Sequence, residues 1–151
     1  MLFDTHAHYD DEAFDSDRDA LLAGMPARGV GLILNPGCDL PSSCKAVQYA
    51  QAFPHVYAAV GVHPENCGGY SPDDLAVLRE LAQQPKVVAI GEIGLDYYWA
   101  ENPPRDFQQQ VLRGQLQLAQ ELSLPVIIHD RDAHADTLAI VREFPAVTGV
   151  F

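Results

Sequence analysis

The sequence lacks a long apolar run, and no segment approaches the roughly 18 residues that a bilayer-spanning helix needs. It also lacks a basic N-terminal stretch followed by an apolar one, so no signal peptide is visible. Both absences predict a cytoplasmic protein that does not act in a membrane. The chain has 151 residues, of which 48% are hydrophobic, and it is expected to form a single domain over 1–151.

Cysteine is scarce and irregularly spaced. Cys38, Cys44 and Cys67 cannot all pair with one another, and their spacing matches no zinc-ribbon or redox motif. We therefore expect reduced thiols, which fits a reducing compartment.

Positive charge is also in short supply. The sequence has 9 Lys and Arg residues against 21 Asp and Glu residues, a net charge of −12. This balance argues against a simple nucleic-acid-binding protein, whose affinity rests on Lys and Arg contacting phosphates. It does not exclude an enzyme that acts on phosphates, because bound cations invert the local charge of a pocket lined by carboxylates and histidines.

What the sequence does contain is a regular series of short apolar runs rich in Val and Ile. Such near-continuous runs are typical of parallel strands that are covered on both faces. Helical patterns lie between them: one begins at Ser71, a longer one with a glutamine-rich outer face covers 107–122, and another covers about 17–28. Alternating strands and helices indicate the α/β class. The six predicted strands are 2–5, 30–34, 56–62, 87–90, 126–128 and 147–151.

Two α/β architectures fit this alternation, a doubly wound sheet and a (β/α)8 barrel. A doubly wound fold concentrates its site at one switch point, usually with a Gly-rich phosphate turn, and the sequence has no such turn. A barrel instead gathers functional groups from the carboxyl ends of several strands. The residues at or just past predicted strand ends favour the barrel. They are His6, His8, His63, Glu92 and His129.

His6 and His8 form a His-x-His pair after the first predicted strand. Residues two apart on a strand point to the same side, so we expect the two imidazoles to project together. Imidazole suits Zn, Fe, Ni and similar ions. By itself the pair fits half a metal site or two ordinary surface histidines.

Glu92 and His129 supply further groups of the ligand type. Gly91 and Gly94 flank Glu92 and would permit close backbone approach. A carboxylate there could bridge two metal ions about 3.5–4 Å apart. Taken singly, Glu92 also fits a surface salt bridge and His129 a buried, hydrogen-bonded histidine. Their combination with the His-x-His pair favours a metal centre.

The candidate ligands lie in four longer segments that follow one another along the chain. The segments are DTHAH at 4–8, GVHP at 61–64, GEIGLDY at 91–97 and PVIIHDRDA at 125–133. Together they resemble the ordered motifs of TatD-type metal-dependent deoxyribonucleases, a family of the amidohydrolase-like TIM-barrel superfamily. The resemblance runs over the whole chain.

The resemblance implies a metal centre with two divalent ions, such as Mg, Zn or Mn. His6 and His8 would hold one ion, Glu92 would bridge the two, and His129 would hold the second. The implied reaction is hydrolysis of a phosphodiester by metal-activated water, with removal of nucleotides from DNA 3′ ends, often of single strands.

The resemblance also implies roles for residues around the metal centre. His63 would act as a proton donor or phosphate contact, and the planar guanidinium of Arg131 would bind a phosphate oxygen. Asp96 would brace the rim through hydrogen bonds. The aromatic segment 97–99 is the candidate for stacking against bases.

The sequence departs from the family pattern in its length. A complete barrel takes roughly 200–250 residues or more, and the metal-binding His and Asp of the family's later strands have no counterpart here. We therefore expect an N-terminal part of a barrel, truncated after about the sixth strand. Such a chain alone should bind metal weakly, have little nuclease activity and tend to self-associate through its open strand edge.

Two further functions stay open at this point. The metal constellation of the superfamily also serves hydrolysis of C–N or ester bonds. A truncated half-barrel could instead bind metal without catalysing any reaction.

Overall fold

The computed structural model describes all residues, 1–151, as one six-stranded parallel sheet flanked by helices. Each strand pairs with the next strand in the chain, in the order β1-β2-β3-β4-β5-β6. This sequential parallel order, curled with its helices alternating along the chain, is that of the (β/α)8 barrel. It confirms the predicted fold class. The strands are β1 (Leu2–Asp4), β2 (Val30–Pro36), β3 (Val56–Val60), β4 (Val87–Asp96), β5 (Val126–Arg131) and β6 (Gly149–Val150).

Five α-helices connect the strands, and none combines the length and the apolarity that crossing a membrane requires. Short 3-10 turns at Glu12–Phe14, Pro26–Arg28 and Pro64–Gly69 complete the connections. The three cysteines are free, as the sequence predicts. The helices are α1 (Arg18–Gly24), α2 (Leu40–Ala52), α3 (Pro72–Ala82), α4 (Arg105–Leu122) and α5 (His134–Val141).

All six predicted strands are present, but two run well beyond their apolar cores. β4 continues from the predicted end at 90 to Asp96, and β5 continues from 128 to Arg131. Their backbones go on pairing there, with Gly94 opposite His129 and Asp96 opposite Arg131. In β4 the added residues are mostly buried, but Gly91, Glu92 and Gly94 interrupt the apolar run, so the run alone did not predict the strand's end.

The helix predicted over 17–28 is wrong in its second half. Helix α1 ends at Gly24, and a separate 3-10 turn covers Pro26–Arg28. Pro26 has no backbone N–H and cannot continue an α-helical hydrogen-bond ladder. Gly29 then reverses the chain with a φ of 89°, a conformation that glycine adopts easily.

The main core lies between the outer face of the sheet and the helices. Its largest side chains come from β4, among them Ile90 and Leu95, and from the helices α3, α4 and α5, among them Leu78, Leu112 and Ile140. The opposite face of the sheet carries a small cluster of Ala59, Ala89 and Ile127 with Leu34 packed against it. Alternating side chains thus cover both faces of the strands, as the continuous apolar runs predict.

The prediction that the glutamines of helix α4 form its outer face is wrong for two of them. Gln108 and Gln115 are buried and lie on the same stripe as Val111, Leu112 and Leu118. Positions three, four and seven apart share one helix face. Two of the glutamines therefore point into the protein, toward the ends of β3 and β4.

Candidate metal centre

The structure brings the five predicted residues together at the carboxyl ends of the strands. His6 and His8 follow β1, and His63 follows β3. Glu92 and His129 lie within β4 and β5 rather than after them, because these strands run on.

The two imidazoles of the His-x-His pair meet as expected, although not for the expected reason. His6 and His8 lie in the loop after β1, not on a strand. The backbone N–H of Ala7 between them donates to Leu34 O of β2 at 3.1 Å, which ties this loop to the sheet. The Nε2 atoms of the two histidines are 3.0 Å apart.

Glu92 owes its position to an irregularity in β4. The pairing of β4 with β5 shifts register between Ile90 and Ile93, and such a bulge re-aims the side chains within it. The flanking glycines are needed because β5 comes very close. A Cβ at Gly91 would lie 2.7 Å from Ile127 Cβ, and one at Gly94, whose φ is 154°, would overlap His129 O.

The two carboxylate oxygens of Glu92 face different imidazoles. Oε2 lies 3.1 Å from His6 Nε2 and 3.6 Å from His8 Nε2, whereas Oε1 lies 3.3 Å from His129 Nδ1. The Glu92 side chain is only 12% exposed. Burial alone would raise its pKa, but hydrogen bonds from the three imidazoles hold the pKa far below the ordinary value. Glu92 is therefore ionised at neutral pH.

Positive charge is favoured next to this carboxylate. Hydrogen bonds with Cys38 and Glu92 raise the pKa of His8 to about 10, so the site draws a proton onto an imidazole. A divalent cation would supply positive charge there without the proton. Imidazole and carboxylate together are a donor set that Zn and related divalent ions accept.

His129 is held from its other side by a buried acid. Its Nε2–H donates to Asp96 Oδ2 at 2.9 Å, and the Asp96 side chain is fully buried. Burial alone would raise the pKa of Asp96, but hydrogen bonds from His129 and the Tyr98 N–H hold it below its usual range. This arrangement leaves His129 Nδ1 facing Glu92.

His63 packs against His129, with ring centroids 4.2 Å apart. Its Nδ1 accepts the backbone N–H of Glu65 at 3.3 Å. Burial and the neighbouring His129 lower the pKa of His63 to about 4. At neutral pH the imidazole is uncharged, which suits a ligand or a hydrogen-bond donor better than a cationic acid.

Arg131 lies at the end of β5, two residues beyond His129, and is exposed. Its guanidinium carbon is 3.9 Å from the ring centroid of Tyr98 and 5.4 Å from that of Trp99. The two aromatic side chains are 51% and 44% exposed. Arg131, Tyr98 and Trp99 thus form an accessible surface, which we call the stacking platform.

Tyr97 is not part of this platform. Its hydroxyl donates to Asp136 Oδ2 at 2.9 Å, and Arg105 covers its ring at 4.3 Å. The segment 97–99 predicted to stack on bases therefore divides into one residue packed toward α5 and two residues open to solvent.

The buried glutamines of α4 are the site residues that the sequence did not reveal. Gln115 Oε1 accepts from Val62 N at 2.8 Å, and its Nε2 donates to Val62 O at 3.0 Å. Gln108 pairs in the same way with the backbone of Asp96, at 2.9 and 3.0 Å. The seven-residue spacing on an otherwise apolar stripe was the available signal.

Two groups of side chains offer ligand atoms within 4.8 Å of one another. One is His6, His8 and Glu92, and the other is His63, Glu92 and His129. Glu92 is common to both. A curled parallel sheet with imidazoles and a shared carboxylate at its strand ends is the arrangement of a metal-dependent hydrolase of the barrel class.

Comparison with known proteins shows the family. The family model described as "TatD related DNase" matches residues 3–151, and the chain belongs to this family. It is 43% identical over 143 residues to the Bacillus subtilis protein named "Uncharacterized metal-dependent hydrolase YabD", covering 95% of the chain and 56% of the relative. It is 39% identical over 140 residues to the "3'-5' ssDNA/RNA exonuclease TatD" of Cronobacter turicensis, covering 93% of the chain and 53% of the relative.

Comparison with solved structures leads to the same family. The crystal structure of YjjV, a TatD homolog from Escherichia coli, superposes with a TM-score of 0.87 at 34% identity, over 95% of this chain and 56% of that one. A TatD family hydrolase from Entamoeba histolytica gives a TM-score of 0.84 at 25% identity, over 95% and 54%. The chain spans about half the length of the curated relatives it matches.

Proposed function

We propose that the chain carries the metal-binding half of a hydrolase that cleaves phosphodiester bonds of DNA. The observation that carries this proposal is the position of Glu92, whose two oxygens face two separate imidazole groups. A carboxylate so placed can bridge two divalent ions, such as Mg, Zn or Mn. When bound, such ions lower the pKa of water and stabilise charge on the attacked phosphate.

The chain's own residues supply the remaining functions. We assign His6 and His8 to one ion, His129 to the other and Glu92 to both. His63, an uncharged imidazole whose Nδ1 already accepts a hydrogen bond, can donate from Nε2 to a phosphate oxygen. Glu92 stays ionised and fixes the geometry of the cluster.

Single-stranded DNA with a free 3′ end is the proposed substrate. Several relatives are named 3'-5' ssDNA/RNA exonucleases. The stacking platform supports the same substrate, because exposed aromatic rings bind unpaired bases regardless of sequence. Arg131 lies over Tyr98, and its guanidinium can bind a phosphate oxygen with the fork of donors at its edge.

A titration with Zn²⁺ tests the shared carboxylate. We expect Glu92→Gln to weaken Zn²⁺ binding, measured by calorimetry, by about 100-fold or more, because loss of a ligand should exceed the roughly 10–100-fold loss caused by removing an outer-shell partner. Glu80→Gln, at an exposed position of α3, is the matched control and should bind like the unchanged protein. Equal affinity in all three proteins contradicts the site.

Hydrolysis is tested with protein in excess over a 5′-labelled single-stranded oligonucleotide and Mn²⁺ or Zn²⁺. We expect metal-dependent shortening from the 3′ end, and none with Glu92→Gln. Amide and lactone substrates are assayed in parallel. Hydrolysis of one of these, with the oligonucleotide left intact, would overturn the phosphodiester proposal in favour of a C–N or ester hydrolase.

We also propose that the chain self-associates through its strand edges. β1 and β6 each pair on one side only. Large apolar side chains at these edges are exposed, among them Phe3 and Val150. Unpaired edges of this kind offer a template for another strand.

A cytoplasmic location is proposed on the state of the cysteines. All three are free, and one of them, Cys67, is buried. Unpaired cysteines are typical of proteins in reducing compartments.

A further inference from the structure

Asp96 is a fully buried acid with a partner for each of its two oxygens. Oδ2 accepts the Nε2–H of His129 at 2.9 Å. Oδ1 accepts the backbone N–H of Tyr98 at 3.0 Å. The same carboxylate therefore touches a candidate metal ligand on one side and the aromatic loop on the other.

The backbone of Asp96 is fixed as firmly as its side chain. Its N–H donates to Gln108 Oε1 at 2.9 Å, and its carbonyl accepts from Gln108 Nε2 at 3.0 Å. Gln108 Nε2 also donates to Pro103 O at 2.8 Å, which ties down the far end of the loop. Because the loop is held at both ends, the carboxylate cannot move without shifting one of its two partners.

The contact with His129 decides which ring nitrogen can bind a metal ion. A carboxylate only accepts hydrogen bonds, so Nε2 must carry the proton. Nδ1 is then the nitrogen left for a metal ion, which would replace the proton that Nδ1 shares with Glu92 Oε1 at 3.3 Å. Partners of this type orient metal-bound histidines in many proteins.

The contact with Tyr98 reaches the stacking platform. Tyr98 lies under the guanidinium of Arg131 and packs edge-on against Trp99, with ring centroids 4.6 Å apart. A change at Asp96 therefore alters the hydrogen bond that holds the backbone N–H of Tyr98, the residue before Trp99. Trp99 is the single tryptophan of the sequence, so its fluorescence reports on the platform alone.

We propose that Asp96 is a positioning residue that ties His129 to the stacking platform, so that metal binding and the placement of the aromatic pair depend on each other. The inference rests on the proposed function, since it takes His129 as a metal ligand. Coupling of this kind is reciprocal: whatever ion binding does to the platform, a ligand on the platform does to ion binding.

The test is a Zn²⁺ titration followed by calorimetry and by the fluorescence of Trp99. In the unchanged protein we expect the emission of Trp99 to shift as Zn²⁺ binds, with the same midpoint as the heat. Asp96→Asn keeps the shape but can accept only one of the two N–H groups. We expect this variant to bind Zn²⁺ roughly 10–100-fold more weakly and to lose the shift.

Asp136→Asn is the matched control. Asp136 also accepts two side-chain hydrogen bonds near the rim, from the Tyr97 hydroxyl at 2.9 Å and from Gln109 at 3.0 Å. It makes no hydrogen bond with His129 or with the backbone of Tyr98. A purely structural effect of removing a carboxylate here would appear in both variants, whereas the proposed coupling is lost only in Asp96→Asn.

The outcomes separate this inference from the proposed function. If the unchanged protein takes up no Zn²⁺, the proposed metal centre itself fails. If Zn²⁺ binds by calorimetry and Trp99 emission stays constant, the coupling fails while the metal centre stands. This second measurement needs no variant, so the inference can be refuted even if Asp96→Asn does not fold. A folded Asp96→Asn with unchanged affinity refutes it equally.

Discussion

Replacement of Gln115 by leucine tests how the sheet end that carries His63 is held. Gln115 is fully buried and makes two hydrogen bonds with the backbone of Val62, at 2.8 and 3.0 Å. Gln115→Leu leaves the N–H and the carbonyl of Val62 without these partners. Leucine and glutamine have similar helix propensities, so α4 itself should be unaffected.

The expected loss follows from those two backbone groups. Each buried polar group left unpaired costs about 1–3 kcal/mol, or roughly 2–6 kcal/mol for two. The apolar surface of leucine offsets about 1–2 kcal/mol of this. We expect the free energy of unfolding to fall by roughly 3 kcal/mol, a large part of the ~5–15 kcal/mol that holds a domain together.

Urea unfolding of Gln115→Leu and Gln110→Leu measures this loss. Gln110 is an exposed residue of the same helix, and its replacement should change the free energy of unfolding by no more than about 0.5 kcal/mol. Equal effects in the two variants would refute the idea that Gln115 holds Val62. Because Val62 precedes His63, we also expect the NMR signals of the His63 imidazole to move in Gln115→Leu.

Two further predictions concern surfaces. Trp99→Ala should weaken binding of a labelled single-stranded oligonucleotide by about 1–3 kcal/mol, measured by fluorescence anisotropy. Val77→Ala, at an exposed position of α3, should leave this binding unchanged. Equal affinities of the two variants would contradict the role of the stacking platform. Because β1 and β6 have unpaired edges, light scattering should show dimers or larger species whose fraction rises with protein concentration. A monomer at all concentrations would contradict this prediction.

The strands were predictable because of how they are buried. Parallel strands covered on both faces form continuous apolar runs, and all six runs became strands. Helix α2 was not singled out because its sequence, rich in Ser, Gln and Ala, has a weak apolar stripe. Its capping box between Asp39 and Ser42 was the signal that could have revealed it.

The candidate site was predictable only in part, for a related reason. Strand-end position locates His6, Glu92 and His129 at one edge of a parallel sheet without further knowledge. The partners that orient them depend on distances between elements. The contact of Asp96 with His129 follows from the register of β4 against β5, which shifts at the bulge beside Glu92. Periodicity places the glutamines of α4 on a face but cannot show what lies opposite.

The acidity of the chain limits how it can hold a polyanion. With 9 basic residues against 21 acidic ones, nonspecific attraction between side chains and phosphates is weak. Arg131 is the basic residue on the stacking platform, and its guanidinium face is already taken up by Tyr98. Under the proposed function, recognition would come from stacking of bases on Tyr98 and Trp99, from the donor edge of Arg131 and from divalent ions beside Glu92. The stacking platform and the candidate metal centre are connected through Asp96, which contacts His129 on one side and Tyr98 on the other. A buried acid in this position would make binding of the proposed nucleic-acid substrate depend on the same side chains that we assign to the ions.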